Sequence, residues 1–180
     1  MRKIRLYIAM SLNGRIARAD GRVDWLDAIP NPDGTDYGYA TFYEEIDTTL
    51  QGYKTYQQLL SWGIPFPYSG KTNYVLTRKK EVENTEEVAF IREEPVAFLQ
   101  KLKRQEGKDI WLVGGGEINT LLLNAGLIDE LEIFVMPLIL PEGIEVFGGI
   151  PKETNLTLIK TRAFSSGAVR LTYNVENTIA

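Results

Sequence analysis

The chain has 180 residues, 44% of them hydrophobic, and a formal net charge of −4, which suits a single globular domain over residues 1–180 with a sizeable core. The absence of cysteine and histidine excludes disulfides, thiolate metal sites, cysteine nucleophiles and a Ser-His-Asp triad, and we expect no bound metal. Acidic and basic residues are interleaved and no apolar run nears the roughly 18 residues of a membrane span, so we expect a cytoplasmic protein without nucleic-acid or membrane partners.

The first part of the chain predicts a buried strand followed by an unusually long loop. Ile4–Met10 is a short apolar run, and the turn-forming pair Asn13-Gly14 follows it. Ala19–Gly38 is rich in Gly, Pro, Asn and Asp, and a loop of this length in a compact domain usually has a function. We interpret it as a lid or a wall of a binding site. The next predicted elements are a helix over Tyr39–Ile46, a strand over Asp47–Gly52 and a helix over Tyr53–Trp62.

The rest of the chain alternates strands with helices and ends in strands alone. We predict strands over Thr72–Thr77, Val88–Arg92, Asp109–Val113, Glu130–Met136, Leu156–Phe164 and Val169–Val175, and helices over Pro95–Glu106 and Glu117–Ala125. Ser165-Ser166-Gly167 suits a hairpin turn between the last two strands. This order of elements predicts an α/β protein with a mostly parallel sheet and an antiparallel edge.

Three consecutive glycines, Gly114, Gly115 and Gly116, separate the Asp109–Val113 strand from the helix that follows. Because glycine has no side chain, a ligand can approach the backbone N–H groups at the helix N-terminus, where the helix dipole also favours an anion. The sequence therefore predicts a binding site for a phosphorylated small molecule. The alternative is a tight turn in which the glycines only relieve crowding.

Two further anion contacts are predicted at the ends of other strands. The contributing residues are Gly52, Lys54 and Thr55 at one strand end, and Thr77, Arg78 and Lys79 at another. Ligands of open α/β sheets bind outside the carboxyl ends of the strands, so these groups and the triple glycine together fit a dinucleotide. A basic pair suits the 2′-phosphate of NADP, which favours NADPH over NADH. Taken alone, each basic residue also fits a solvated surface.

Five ordered motifs make the sequence similar to the dihydrofolate reductase-like superfamily. They are AMSLNGRIA at 9–17, GYKTY at 52–56, LTR at 76–78, WLVGGG at 111–116 and LIDEL at 127–131. The branch that the sequence resembles most is the reductase domain of bacterial bifunctional riboflavin-biosynthesis deaminase-reductases. The resemblance implies a mixed, mostly parallel central sheet with helices on both faces and a C-terminal antiparallel hairpin. It also implies hydride transfer from NADPH to a small heterocyclic or ribosyl-pyrimidine substrate.

The resemblance assigns cofactor contacts to particular residues. It implies Ala9 and Ile16 at the nicotinamide-ribose end, Gly52, Lys54 and Thr55 at the phosphates, Thr77 and Arg78 at the adenosine 2′-phosphate, and Gly114, Gly115, Gly116, Glu117 and Ile118 at the pyrophosphate. Tyr53 departs from the pattern, because relatives commonly carry Arg or Lys at this position. Recognition of the 2′-phosphate would then be weaker, or would depend on Arg78 and Lys79.

The proton donor and the substrate contacts are less constrained by the sequence. Asp36 lies at about the distance before Gly52 at which dihydrofolate reductases carry the carboxylate that serves the pterin, so we predict it as the catalytic residue. Capping of the helix that begins near Tyr39 is the alternative role. A phosphoribosyl substrate would need basic contacts, for which the long loop offers Arg15, Arg18 and Arg22.

Three functions remain open from the sequence. The leading hypothesis is an NADPH-dependent reductase acting on a small molecule and similar to the 5-amino-6-(5-phosphoribosylamino)uracil reductase of riboflavin biosynthesis. The second is dihydrofolate reductase activity on a pterin, and the third is a non-catalytic NADP-binding module. The resemblance and the apolar strand segments Ile133–Met136 and Leu156–Ile159 also lead us to expect a homodimer.

Overall fold

The computed structural model describes residues 1–176, so the last four residues of the predicted 1–180 domain lie outside the described part. The strands are Ile4–Ser11 (β1), Arg15–Ala17 (β2), Ile46–Gly52 (β3), Thr72–Leu76 (β4), Ala89–Ile91 (β5), Asp109–Gly114 (β6), Glu130–Met136 (β7), Ile144–Glu145 (β8), Leu156–Ala163 (β9) and Val169–Val175 (β10). The helices are Tyr39–Glu45 (α1), Tyr53–Ser61 (α2), Pro95–Arg104 (α3) and Gly116–Asn124 (α4). Every predicted element is present, with ends within about two residues of the prediction, which is the range over which element ends fray.

The large sheet has eight strands in the order β5-β4-β3-β6-β1-β7-β10-β9. The first six strands of this order are mutually parallel, and β10 runs antiparallel to both β7 and β9. The predicted α/β class, with a mostly parallel sheet and a C-terminal antiparallel hairpin, is confirmed. Within residues 1–176, no helix is long and apolar enough to cross a membrane.

A small second sheet was missed by the sequence analysis. β2 pairs antiparallel with β8, with Arg15 opposite Glu145. Such short strands carry no readable alternation, and this pair joins positions 130 residues apart, so no local pattern could reveal it. Gly143 permits the close approach, because a Cβ at this residue would lie 2.1 Å from the carbonyl oxygen of Ala17.

The helices cover both faces of the large sheet. On one face, Leu99 of α3 and Leu122 of α4 belong to the same buried cluster as Leu112 of β6. On the other face, Phe42 of α1 packs with Trp111, the neighbour of Leu112 along β6. Successive side chains of a strand point to opposite faces, so apolar residues at consecutive positions of the central strands bury both faces.

A fully buried carboxylate joins three neighbouring strands. Glu132 of β7 is 0% exposed and accepts hydrogen bonds from Arg5 of β1 and from Arg170 of β10. Nη1 of Arg5 also donates a 2.6 Å hydrogen bond to Oε2 of Glu45 on α1, and its Nε lies 3.1 Å from Oε1 of Glu130. Burial opposes the charge of Arg5, but hydrogen bonds to Glu45 and Glu132 raise its guanidinium pKa above the ordinary value. The network therefore connects β1, β7, β10 and α1 through pairs of opposite charges that stabilise each other.

We expect Glu132→Gln to lower the free energy of unfolding by about 3 kcal/mol, because it leaves the buried guanidinium of Arg5 and the partly buried guanidinium of Arg170 without a shared carboxylate. Urea denaturation followed by circular dichroism measures the effect. Glu83→Gln, at an exposed position, is the matched control and should change stability by less than about 0.5 kcal/mol. Equal midpoints for the two variants would show that the network does not stabilise the fold.

Candidate functional site

The carboxyl ends of the parallel strands meet at one edge of the sheet, where a groove of about 1800 Å³ lies. This strand-end groove is bordered by residues that end or follow β3, β4 and β5, by the first turns of α2 and α4, and by loop residues 19–24 and 26–27. The predicted cofactor residues that line it are Gly52, Lys54, Thr55, Thr77, Arg78, Lys79, Gly115, Gly116, Glu117 and Ile118. Three anion contacts that were predicted separately therefore share one groove.

The N-termini of two helices line the strand-end groove. α2 begins after Gly52 and α4 after Gly115, and no side chain among residues 1–176 caps either helix. Their first backbone N–H groups therefore keep hydrogen-bonding capacity for a ligand, and both helix dipoles favour an anion. The two junctions pack together, since a Cβ at Gly52 would lie 3.1 Å from Cγ1 of Ile118. These features fit the pyrophosphate of a dinucleotide.

Two of the three glycines before α4 are required by the fold, for different reasons. Gly114 has a φ of +113°, a conformation that residues with side chains rarely adopt. At Gly116, a Cβ would lie 2.2 Å from the carbonyl oxygen of Glu145. At Gly115, the nearest atom to a Cβ would be Oγ1 of Thr55, at 3.4 Å. Backbone geometry and crowding thus explain two of the glycines, whereas a Cβ at Gly115 would meet Thr55 at an ordinary contact distance, so the fold alone does not require this glycine.

Three basic side chains, Arg78, Lys79 and Arg92, line the part of the groove that follows β4 and β5. Nζ of Lys79 lies 4.6 Å from the centroid of the Tyr53 ring, and Nε of Arg92 donates to the carbonyl oxygen of Lys79 at 3.2 Å. Sequence reasoning missed Arg92, although it follows β5 much as Arg78 follows β4. Tyr53 lacks the charge that the resemblance led us to expect at this position, but its ring holds the ammonium of Lys79 beside it through a cation–π contact.

Lys54 and Glu117 face each other across the groove, with Nζ and Oε1 3.5 Å apart. Their side chains are 89% and 78% exposed, so water screens the ion pair and it contributes little to stability. Lys54 can therefore exchange this contact for a bound phosphate at small cost.

A second cavity, of about 310 Å³, adjoins the groove. This aromatic cavity lies against β1 and β7, with the long loop and the start of α1 around it. Its lining residues are Tyr7, Ala9, Leu26, Ile29, Asn31, Asp36, Tyr37, Tyr39, Phe134 and Met136. Leu26 lines both spaces, so the cavity and the groove meet at this residue. Sequence reasoning identified Ala9 and Asp36 but missed Tyr7 and Phe134, because alternation alone does not say which face of a strand meets a ligand.

The long loop forms the wall that the sequence predicted. Trp25 is 2% exposed and packs with Phe134 and Met136, so it anchors the loop and is not a platform for a ligand. The side-chain amide of Gln58 on α2 donates to the carbonyl oxygen of Gly21. These two contacts hold the loop against the sheet and against α2, and the loop borders both spaces.

Asp36 lines the aromatic cavity, but its carboxylate is hydrogen-bonded to the backbone. Its two oxygens accept hydrogen bonds from the N–H groups of Gly38 (2.8 Å) and Ala40 (2.9 Å) at the start of α1. These bonds, foremost that from Ala40, hold the pKa of Asp36 below its ordinary value. The carboxylate is therefore ionised at neutral pH and does not donate a proton. The geometry gives Asp36 the capping role, and a direct role towards substrate stays a prediction.

Two hydroxyl groups of the cavity remain protonated. Burial raises the pKa of Tyr7, and burial raises the pKa of Tyr39 to about 12.

Two predicted cofactor residues lie outside both spaces. Ile16 is partly buried on β2, and Gly114 is buried at the end of β6.

Comparison with known proteins identifies the family and the fold. Residues 66–170 match the RibD C-terminal domain family. The chain is 41% identical to the uncharacterized protein YwjB of Bacillus subtilis (strain 168), over 96% of this chain and 97% of that protein. A Shewanella sp. PV-4 protein assigned to riboflavin biosynthesis superposes with a TM-score of 0.86 at 28% identity, over 97% of this chain and 99% of the other. Dihydrofolate reductase from Enterococcus faecalis gives a TM-score of 0.69 at 20% identity, over 97% and 96%. The predicted dihydrofolate reductase-like fold is confirmed.

We expect Gly115→Ala to fold normally but to weaken NADPH binding at least about tenfold, because the new methyl group would lie beside Thr55, where the predicted phosphate would approach the helix N-terminus. Titration by tryptophan fluorescence and a thermal melt measure the two properties. Gly116→Ala is the contrasting variant, and it should lose about 1–3 kcal/mol of stability through the clash with Glu145. Unchanged NADPH affinity of Gly115→Ala would remove the glycine junction from the binding site.

Proposed function

The chain belongs to the RibD C-terminal domain family, and we propose that it is an NADPH-dependent reductase that transfers a hydride to a small heterocyclic substrate. The observation that supports this most strongly is the junction of two spaces with different chemistry. The strand-end groove offers uncapped helix N-termini and basic side chains, and the aromatic cavity meets it at Leu26. A long charged cofactor and a small flat substrate would need these two environments side by side.

Different residues of the groove would bind the different charged groups of NADPH. The N-termini of α2 and α4, with Thr55 and Lys54, would hold the pyrophosphate, while Arg78 and Lys79 would hold the 2′-phosphate. Ala9 would border the nicotinamide end. Each charged hydrogen bond contributes about 1.5–3 kcal/mol, so a few of them are sufficient for a micromolar complex of roughly 8 kcal/mol after ordering costs.

NADPH would supply the hydride when bound. The apolar side chains of Ala9, Leu26 and Met136 would exclude water from the reacting atoms and hold the acceptor ring close to the cofactor. The protonated hydroxyls of Tyr7 and Tyr39 can donate hydrogen bonds to an acceptor that gains negative charge. The ionised carboxylate of Asp36 cannot supply the proton, so water or the substrate itself would do so if one is needed.

Assays of NADPH oxidation with a panel of aminopyrimidines and pterins distinguish this function from the two alternatives. Turnover of dihydrofolate would favour dihydrofolate reductase activity, which the position of Asp36 in the aromatic cavity supports. Saturable NADPH binding without oxidation of any member of the panel would favour a non-catalytic binding module.

We also propose that the protein forms a homodimer through β9. This edge strand is exposed at every residue from Leu156 to Ala163, and the side chains of Leu158 and Ile159 are 52% and 54% exposed. An unpaired strand edge with exposed apolar residues is a surface that a second copy of the chain would cover. The cytoplasmic location stays a prediction.

We expect NADPH to bind much more tightly than NADH, and Arg78→Ala to weaken NADPH binding by about 10- to 100-fold while leaving NADH binding unchanged. The reason is that the guanidinium would contact the 2′-phosphate, which NADH lacks. Fluorescence titration of both cofactors measures the affinities. Lys80→Ala removes an exposed neighbouring charge outside the groove and serves as the control. Equal losses for NADPH and NADH would place Arg78 away from the 2′-phosphate.

Sedimentation at micromolar concentration should show a species of twice the chain mass of 20.4 kDa, and Ile159→Lys should shift it to the monomer by placing a charge in the interface. Leu60→Lys alters an equally exposed leucine on α2 (51%) and should leave the dimer intact. A wild-type protein that sediments only as a monomer would refute the dimer.

A further inference from the structure

The register of the sheet brings the residues that follow three strands together at one end of the strand-end groove. Gly52, the last residue of β3, pairs with Leu76, the last of β4, and Leu76 pairs with Ile91, the last of β5. Neighbouring strands lie about 4.8 Å apart, so the residues after these positions leave the sheet side by side. The three residues, which all line the groove, are Tyr53, Thr77 and Arg92.

These three residues hold Lys79 in place. The backbone N–H of Lys79 donates to Oγ1 of Thr77 at 3.0 Å, and its carbonyl oxygen accepts a 3.2 Å hydrogen bond from Nε of Arg92. Its Nζ lies 4.6 Å from the centroid of the Tyr53 ring, within the range of a cation–π contact. Both the backbone and the ammonium of this exposed lysine are therefore fixed against the wall of the groove.

Arg92 uses only one of its side-chain nitrogens within the protein. Nε donates to Lys79, whereas Nη1 and Nη2 donate no hydrogen bond to any of residues 1–176. The bond at Nε orients the planar guanidinium and leaves its other end for a ligand. Two parallel N–H···O bonds from a guanidinium match the geometry of a phosphate group.

The cations at this end of the groove have no acidic partner. Arg78, Lys79 and Arg92 form no ion pair with a carboxylate of residues 1–176, although Glu93 and Glu94 line the groove directly after Arg92. Three unpaired cations suit an anion with more than one charge. A phosphate monoester such as the 2′-phosphate of NADPH carries about −1.5 to −2 charges at pH 7.

Other basic residues of the site are already paired. Lys54 lies across the groove from Glu117 at 3.5 Å. The loop arginines that the sequence offered for a phosphoribosyl group are held by carboxylates as well. The pairs are Arg15 with Glu145, Arg18 with Asp24 and Arg22 with Asp20. The residues after β4 and β5 are thus the part of the groove where a strongly charged phosphate finds several free donors.

We propose that Arg92 binds the 2′-phosphate of NADPH through Nη1 and Nη2, and that Tyr53 is a positioning residue that directs the ammonium of Lys79 to the same phosphate. The proposal rests on the NADPH-dependent function proposed above and adds two residues to its cofactor specificity. An aromatic ring at position 53 then does not weaken recognition of the 2′-phosphate, because the ring holds a lysine that follows β4 and the end of β5 supplies a second arginine.

Matched ligands that differ only by the 2′-phosphate test the role of Arg92. The pairs are NADPH with NADH, followed by tryptophan fluorescence, and adenosine 2′,5′-bisphosphate with 5′-AMP, followed by calorimetry. We expect Arg92→Ala to weaken binding of both 2′-phosphorylated ligands about tenfold and to leave NADH and 5′-AMP within about twofold. Arg92→Lys should recover only part of the loss, because an ammonium keeps the charge but lacks the fork. Arg104→Ala removes an exposed arginine outside the groove and is the control.

Two variants of Tyr53 separate the ring from its hydroxyl. Tyr53→Leu should reduce the ratio of NADPH to NADH affinity about threefold, because leucine offers no π face to the ammonium. Tyr53→Phe keeps the ring and should keep the wild-type ratio. In a Lys79→Ala background, Tyr53→Leu should have no further effect on the ratio, since its role acts through that lysine. A thermal melt verifies that each variant is folded.

An unchanged ratio in Arg92→Ala would remove Arg92 from the 2′-phosphate, and an unchanged ratio in Tyr53→Leu would overturn the positioning role; the reductase function would stand in both cases. Equal affinity of the wild-type protein for NADPH and NADH would overturn the whole proposal. Failure to bind either cofactor would refute the reductase function instead. The adenosine pair would then still decide, because a preference for the bisphosphate that Arg92→Ala abolishes would support the role of Arg92, and the lack of any preference would refute it.

Discussion

The candidate site depends on one constraint of the fold, which is that six neighbouring strands run in the same direction. Parallel strands end at a common edge, and the helices that follow them begin at that edge. Gly52, Thr77 and Gly115 are far apart in sequence, yet all three line one groove for this reason. The uncapped N-termini of α2 and α4 lie side by side as a further consequence, and the anion contacts proposed at each would form one extended site.

The part of the sheet that contains β1, β7 and the antiparallel strand β10 provides a different environment. There, Glu132 accepts hydrogen bonds from Arg5 and Arg170, so opposite charges inside the sheet offset one another. The rings of Tyr7 and Phe134 come from the same strands and form part of the wall of the aromatic cavity. Buried ion pairs are costly unless every charge is matched.

The long loop, residues 19–38, borders both the groove and the cavity. Trp25 fixes it to the sheet, and Gln58 fixes it to α2. Leu26, next to the buried tryptophan, lines both the groove and the cavity. Asp36 lies near the end of the same loop, and its carboxylate caps α1 at the border of the cavity. One segment without regular structure therefore determines how a charged cofactor and a flat substrate would meet.

The order of the main strands and helices and the glycine junctions could be predicted from the sequence, because strand periodicity, helix starts and glycine runs are local signals in a few adjacent residues. It also indicated Lys54, Thr55, Arg78 and Lys79, since each follows the end of a predicted strand. The pairing of β2 with β8, the position of Tyr7 and Phe134 in the cavity wall, and the ion pairs of Arg15, Arg18 and Arg22 could not be predicted. These depend on which face of a strand meets a distant segment and on which charges lie within reach, and such long-range contacts leave no signal in a local pattern.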